Sequence, residues 1–444
     1  MKVLKFGGTS LGDAQRMQNV ARIVSQQGSV SQQGRVLVVL SAVSGTTDSL
    51  VKIAEAYKHG EITNVKEIVE VLTNHYQRYV EQLFSQGSTK SMAIRFVETQ
   101  FAEIAEANIE SSTSAIEFHI LAKGELISTE LFTLYLQEKN HKTKLLSALD
   151  FVRLTADGVP DENFLSEQLS QIINQNANVD IFVTQGFICR NAFGEVSNLK
   201  RGGSDYSASL FGAAIESEEV QIWTDIDGMH NNDPRYVENT KPIRELSFNE
   251  AAELAYFGAK ILHPSSIKPA RKKNIPVLLL NTLQPEARGT VISTKSNSEN
   301  IKAVAAKSGI TAVKIRSSEM LQAPGFLRKV FEVFELYHTS IDVITTSEVA
   351  VSVTIDDTTY LKPIVKTLTE FGKVDVDKNL AIVCVVGEFL VESVGVVARV
   401  IRSLDTIPLR MISYGGSAHN ITFLVSEEQK VDSLRALHKG LFNV

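Results

Sequence analysis

The sequence predicts an α/β protein in two parts, a doubly wound open sheet followed by two small β-α-β-β-α-β modules. Three observations carry this. Short apolar runs of strand length alternate with helical periodicity from Val3 to Ser293, the pattern of a largely parallel sheet with helices on both faces. Thr294–Asn300 (Thr-Lys-Ser-Asn-Ser-Glu-Asn) contains no apolar residue and reads as a linker. Beyond it, two stretches align at an offset of 68 to 70 residues: Gly325 with Gly395, Ile344 with Ile412, and Ser352-Val353-Thr354 with Asn420-Ile421-Thr422. A weak repeat whose pieces keep their order predicts two tandem copies of one module. The expected division is residues 1–293, a linker at 294–300, and 301–444. The modules fall at about 308–380 and 381–444, with a strand near 301–306 left open to join the second.

Taken in order, Val3, Leu4 and Phe6 form a short buried strand that contains Lys5 and ends in Gly7-Gly8-Thr9-Ser10. Leu11, Ala14, Met17, Val20, Ala21 and Val24 then follow at helical spacing. Arg35–Leu40 is a parallel-type strand ending in Ser41-Ala42-Val43-Ser44-Gly45-Thr46-Thr47-Asp48, with a helix from about Ser49 to Lys58. Residues 61–121 are mainly helical, with a capping box at Ser114-x-x-Glu117. Lys144–Leu146 and Val179–Thr184 are further strands, and Asn191–Gly194 is a hairpin turn. Arg201-Gly202-Gly203-Ser204-Asp205 opens an Ala-rich helix, and strand Val220–Asp225 runs into Ile226-Asp227-Gly228. Ser247-x-x-Glu250 starts a helix stopped by Gly258; Pro276–Leu280 and Gly289–Ser293 are the closing strands. In the second part, Ala312–Ile315, Val351–Ile355 and Ile421–Val425 are strands, and Phe326–Tyr337 and Val394–Ser403 are helices.

Composition removes several function classes. At 444 residues, 43% hydrophobic and 22% charged, the chain has the make-up of a globular protein of two or three domains. With a net charge of −6, and Arg271-Lys272-Lys273 its densest basic run, it carries no nucleic-acid footprint. Cys189 and Cys384 are too far apart in sequence to suggest a disulfide framework or a zinc site, and they fit a reducing cytoplasm. Lys5 interrupts any signal-peptide h-region, and no apolar run is long enough to span a membrane.

A strand running through a Gly-Gly turn into a helix lets backbone N–H groups approach an anion, and a lysine beside it adds a point charge suited to phosphate. The plain alternative is an ordinary strand–turn–helix with a surface lysine. What weighs against it is topology: strand ends in a doubly wound sheet lie together at the ligand crevice. Lys5, Ser41 with Thr47, Arg201 with Asp205, and Thr224 with Asp225 can therefore converge. Glycines, hydroxyls, two cations and carboxylates suit a nucleotide phosphate and an anionic co-substrate. No G-x-x-x-x-G-K-[ST], G-x-G-x-x-G after a strand, His-Arg-Asp or Asp-Phe-Gly is present. His263 and Cys189 read as structural, and the Phe331–Leu336 stripe as core.

At this point the chain resembles the aspartokinases. Lys5-Phe6-Gly7-Gly8-Thr9-Ser10, Ser41-Ala42-x-Ser44-Gly45-x-Thr47-Asp48, Gly124-Glu125, Arg201-Gly202-Gly203-Ser204-Asp205, Trp223-Thr224-Asp225-x-x-Gly228, Asp233-Pro234-Arg235 and Phe257-Gly258-Ala259-Lys260-x-Leu262-His263-Pro264 are similar to that family's signature set and stand in its order. Ile344-Thr345-Thr346-Ser347-Glu348 resembles the first ACT module of the monofunctional, lysine-sensitive type.

The resemblance implies an amino-acid-kinase (carbamate-kinase-like) domain followed by two ferredoxin-like ACT modules. It also implies synthesis of 4-phospho-L-aspartate from L-aspartate and ATP with Mg2+, the first step towards lysine, threonine and methionine. On the family pattern Lys5 and Asp205 would be catalytic. Ser41, Thr47, Glu125, Arg201 and Gly202 would hold aspartate, Arg201 on its α-carboxylate and Glu125 on its α-ammonium. Lys5, Gly7, Gly8, Ser10, Thr224, Asp225, Arg235 and Lys260 would face the nucleotide, and no dedicated metal ligand is expected. His230 stands where family members often carry Tyr.

The effector, lysine or threonine, would bind at Met320, Phe326, Leu327, Ser340, Ile341, Asp342, Thr346, Ser347 and Glu348, between ACT modules of a homodimer or dimer of dimers. Asp342 and Glu348 match a cationic amino acid better than a neutral one. The competing readings are a glutamate or acetylglutamate kinase and a catalytically silent amino-acid sensor. With no dinucleotide domain before Val444, a homoserine dehydrogenase fusion is not expected.

Overall fold

A computed structural model describes residues 1–31, 34–106, 113–200, 202–258, 262–295, 301–320, 324–388 and 393–442. The chain divides into two units. The first holds Met1–Met229, Arg244–Phe248 and Leu262–Ser296, and the second His230–Ile243, Asn249–Ile261 and Asn297–Val444.

Ten strands belong to the first unit: β1 (Lys2–Phe6), β2 (Val36–Leu40), β3 (Thr143–Leu146), β4 (Ile181–Gln185), β5 (Ile188–Arg190), β6 (Val196–Asn198), β7 (Val220–Thr224), β8 (Glu245–Ser247), β9 (Val277–Asn281) and β10 (Thr290–Ser293). The helices through this part of the chain are α1 (Ala14–Val30), α2 (Thr46–Lys58), α3 (Ile62–Leu83), α4 (Gly87–Ala105), α5 (Thr113–Glu138), α6 (Ala148–Phe151), α7 (Glu162–Gln175), α8 (Gly203–Ala214), α9 (Phe248–Tyr256) and α10 (Lys268–Lys272). Eight strands make one sheet in the order β3-β4-β2-β1-β7-β9-β10-β8, parallel throughout except where β10 meets β9. β5 and β6 form the hairpin around Asn191–Gly194.

Every residue of β2 and β4 is buried, as expected of parallel strands covered on both faces. Ser114 falls within α5, and residues 107–112 ahead of that helix lie outside the described residues. Among the described residues no helix is long and apolar enough to cross a membrane.

The register positions the site. Phe6 lies opposite Leu40 on one side and Trp223 on the other; Leu40 faces Gln185, and Trp223 faces Leu280. Gly7, Ser41, Gly186 and Thr224 therefore leave the sheet at one level. β1 sits between β2 and β7, so the strand order reverses at it, and ligand crevices form at the carboxyl ends of strands at such a point.

The second unit contains β11 (Ile301–Arg316), α11 (Phe326–Leu336), β12 (Ile344–Thr346), β13 (Ala350–Ile355), α12 (Leu361–Leu368), β14 (Lys373–Gly387), α13 (Val396–Arg402), β15 (Met411–Tyr414), β16 (Asn420–Ser426) and α14 (Lys430–Phe442). Its sheet runs β12-β13-β11-β14-β16-β15. The two modules are nested rather than tandem. β11 is one strand: Thr311–Arg316 pairs with β13, while Ile301–Lys307 pairs with Ile382–Gly387 of β14. The second module thus takes its outer strand from ahead of the first, so residues 381–444 do not contain it whole. Two cores result, one around Val313, Val330, Phe334, Val353 and Ile364, the other around Val304, Val383, Val400, Phe423 and Leu437.

The expected boundary at 293 also needs correction. His230–Ile243 and Asn249–Ile261 belong to the second unit, because Val237 is buried in the core of the second module. Around it, the Val304 N–H donates to the Asn231 carbonyl, Asn232 Nδ2 to the Leu434 carbonyl, and Arg435 Nε to the Tyr236 carbonyl. Residues 296–300 of the expected linker lie outside the described residues. Val237→Ala should lower the stability of this unit by on the order of 2 kcal/mol, the usual scale for emptying part of a buried aliphatic site. Denaturant unfolding would read it, and an unchanged midpoint would show that the segment is not part of that core.

Candidate active site

Lys5 ends up 9% exposed, one residue from the end of β1. Its Nζ lies 2.6 Å from Asp205 Oδ1, and a Cβ placed on Gly7 would sit 3.4 Å from the same ammonium. The charge is therefore held directly over the glycine turn. Asp205 reaches it from the first turn of α8, which begins on Gly202 at φ +84°. Only glycine fits there, since a Cβ would come 2.5 Å from Ser266 Oγ. Ser204, next along α8, accepts a hydrogen bond from Ser41 Oγ at 2.8 Å, joining the turn after β2 to the helix that carries Asp205. Ser10 and Thr282 share a buried hydroxyl–hydroxyl hydrogen bond of 2.7 Å, and the Thr282 N–H donates to the Thr224 carbonyl.

Glu125 is buried in α5, and its Oε1 accepts from the Ala42 N–H at 3.3 Å. Burial pushes its pKa up to about 8, against the downward pull of that N–H. Ser128 Oγ donates to the Ser41 carbonyl, so α5 holds this turn twice. Thr47 is exposed in the first turn of α2, whereas Thr46 is buried and shares a hydrogen bond with Tyr76.

The structure thus brings Lys5, Gly7, Gly8, Ser10, Ser41, Thr47, Glu125, Gly202, Asp205, Thr224 and Asp225 into the first unit, at or beside the carboxyl ends of β1, β2 and β7. Arg201 and Lys260 lie outside the described residues. Arg235 falls in the second unit, where Asp233 holds its guanidinium at 2.6 Å and 2.9 Å. His230, also there, shares a hydrogen bond with Thr240. His263 Nδ1 accepts from the Ser265 N–H, a structural cap, and Cys189 is buried with its thiol pushed up to about 12. Sequence reasoning missed Ser204, Thr282 and Ser128. Ser204 stood inside a quoted motif and Thr282 directly after a strand, so position was the available signal.

In the second unit, Gly325 precedes α11, whose first residues are Phe326 and Leu327, both half-buried with Met320 against the core of the first module. Thr346, Ser347 and Glu348 are exposed on the β12–β13 hairpin. Ser340 is exposed and Ile341 half-buried. Asp342 differs from all of these. Its side chain is 1% exposed, ion-paired to Lys307 at 2.8 Å, and accepts from the Tyr256 hydroxyl at 2.8 Å.

Comparison with known proteins bears on this arrangement. Residues 1–281 match the amino acid kinase family, and residues 383–441 match the ACT domain. The chain is 35% identical to lysine-sensitive aspartokinase 3 of Escherichia coli, over 99% of each chain. It is similar to the crystal structure of E. coli aspartokinase III with aspartate and ADP (R-state), at a TM-score of 0.84, 34% identity and full coverage of both chains. The same enzyme with lysine and aspartate (T-state) gives a TM-score of 0.80 at 34% identity, covering 100% of this chain and 99% of that one. A lysine–aspartate pair over a glycine turn at a sheet reversal, joined to two ACT modules and matched along its whole length, places the chain among the aspartokinases of the amino acid kinase family.

Proposed function

We propose that the chain is an ATP-dependent aspartate kinase, transferring the γ-phosphoryl group of MgATP to the β-carboxylate of L-aspartate. The observation that carries this is the Lys5 ammonium, fixed by Asp205 above Gly7 where the parallel sheet reverses. Magnesium arrives as part of the nucleotide substrate. A carboxylate oxygen of aspartate attacks the γ-phosphorus and forms a C–O–P linkage. The bond from that phosphorus to the β,γ-bridging oxygen breaks, and ADP leaves with the electron pair. The nucleophile is already ionised, so no general base is needed.

Such a transfer asks for positioning and for charge aimed at the transferring group. Lys5 supplies that charge, and Asp205 holds it in position. Gly7, Gly8 and Ser10 shape the phosphate turn, with Thr224 and Asp225 beside it; Arg235 and Lys260 are assigned to the nucleotide by family pattern. Ser41, Thr47 and Gly202 line the aspartate side, Arg201 takes the α-carboxylate with its planar fork, and Glu125 takes the α-ammonium. Lysine acting through the first ACT module of a homodimer restrains the enzyme, and must bind its inactive state more tightly than its active one.

A coupled ADP-release assay with aspartate, glutamate and acetylglutamate tests the reaction, and turnover should require aspartate. Preference for either of the others would overturn the substrate. Lys5→Met should cut kcat by roughly 100-fold or more while ATP KM changes far less, as for loss of one preorganised electrostatic donor. A near-normal kcat with only a raised ATP KM would remove Lys5 from the transferring group.

Glu125 gives a pH signature. Below about 8 the free carboxyl is protonated, and an ammonium selects the ionised form, so aspartate binding releases a proton. Aspartate affinity should strengthen as pH rises from 6 towards 8, by up to about tenfold per unit, and then level off. Calorimetry in buffers of different ionisation enthalpy measures the proton directly. Glu125→Gln should flatten the profile, and a wild-type profile that is already flat would take Glu125 off the ammonium.

A further inference from the structure

Asp342 is held from inside its own chain. Its side chain is 1% exposed, and Lys307 Nζ lies 2.8 Å from Asp342 Oδ1 and 2.8 Å from Asp356 Oδ2. The Tyr256 hydroxyl donates to the same Asp342 Oδ1 at 2.8 Å, and Lys307 Nζ stands 4.7 Å from the centre of the Tyr256 ring. Asp342 Oδ2 is buried with no hydrogen-bond partner among the described residues. One ammonium is thus shared by two carboxylates, and the three groups carry one net negative charge. A buried carboxylate oxygen without a partner is costly, so an arriving ammonium is attracted both by charge and by an unused acceptor.

Tyr256 is the last residue of α9. Just beyond it, Gly258 lies so close to β11 that a Cβ there would come 2.1 Å from the Ala306 carbonyl oxygen, one residue before Lys307. At the other end of α9, Asn249 shares a hydrogen bond with His419, and Glu253 accepts from Ser417 Oγ and Asn420 Nδ2. This helix is therefore pinned to the second module by Asn249 and Glu253, with Gly258 just past its end against the same module's outer strand, and to the first module by Tyr256. In sequence it leads within four residues of Tyr256 to Lys260.

We propose that Tyr256 and Lys307 are positioning residues for Asp342, through which an amino-acid ammonium at Asp342 acts on α9. The inference rests on reading the first module as the effector site. An ammonium taking up Asp342 competes with Lys307, which has Asp356 to move towards, and the Tyr256 hydroxyl loses part of the charge that holds it. Occupancy of the module thereby becomes a change in what anchors the end of α9.

L-lysine binding by calorimetry, and inhibition by the ADP-release assay, would be measured on the full chain as wild type, Tyr256→Phe and Lys307→Met. Tyr256→Phe keeps the ring over Lys307 and removes only the hydroxyl. It should bind lysine within about threefold of wild type, yet need at least tenfold more lysine for half-inhibition, each variant being scored against its own uninhibited rate. Lys307→Met strips Asp342 of its internal cation and should bind lysine about tenfold more tightly. If binding and inhibition move together in Tyr256→Phe, or neither moves, or if Lys307→Met binds lysine no better than wild type, the tether is wrong. A wild-type protein that binds no lysine overturns the effector reading, and this inference with it.

Discussion

An ammonium group taken almost wholly out of water must have a counter-charge, and in this protein that requirement organises the first unit. Lys5 is set within a strand whose Val3, Leu4 and Phe6 are core, so its charge is met at the strand's end. Asp205 meets it, and removing either partner would leave an uncompensated buried charge costing about 3–5 kcal/mol. A buried pair is nonetheless weak evidence of stability, because apolar residues of equal volume would serve as well or better. What the pair contributes is placement. Asp205 is available because Gly202 turns the chain into α8. That helix is tied to the turn after β2 through Ser204 and Ser41, and β1's own turn is tied to the end of β9 through Ser10 and Thr282.

The second unit shows a different constraint, the need of a small sheet to cover its faces. The first module completes its sheet from consecutive chain, residues 311–377, but the second does not. The outer strand of the second precedes the first module, and its core accepts Val237 from a segment lying between β7 and β8 in sequence. The chain passes from one unit to the other after Met229, Ile243, Phe248, Ile261 and Ser296. Units stitched together by so many passages cannot be separated at one linker.

These facts explain what the sequence could and could not disclose. Strand ends carrying Lys5, Ser41 and Thr224 were legible because apolar runs mark where a strand stops, and doubly wound topology gathers those stops in one place. Nesting was legible only as an open alternative, the strand near 301–306 joining the second module. Lys307-Ser308-Gly309 interrupts the apolar pattern and reads as the gap between two strands, while the chain crosses it as irregular register within β11. Hydroxyl partners such as Thr282 were invisible for another reason: a threonine after a strand is common, and only the fold says which hydroxyl it meets. The separate placement of Arg235 followed from a core, not a motif, since its neighbour Val237 decides where the segment packs.

The internal repeat carries a further lesson about fold and chemistry. The register corrects one piece of that alignment: Thr345 corresponds to Ser413 at an offset of 68 residues, but Ser352 corresponds to Thr422 at 70 and not to Asn420, because the β15–β16 hairpin has a loop two residues longer than that of β12–β13. Gly325 and Gly395 recur for one physical reason, each opening a helix from a left-handed conformation. The acidic positions do not recur. At the same offset as the hairpin's first strand, Asp342 corresponds to Arg410 and Glu348 to Gly416. Backbone geometry demands the glycines in both modules, so both keep them. Nothing in the fold demands a carboxylate, and among the described residues of the two modules it is the first that has one buried with an oxygen to spare. The two modules share an architecture, but the charge that would select a cationic amino acid belongs to one of them.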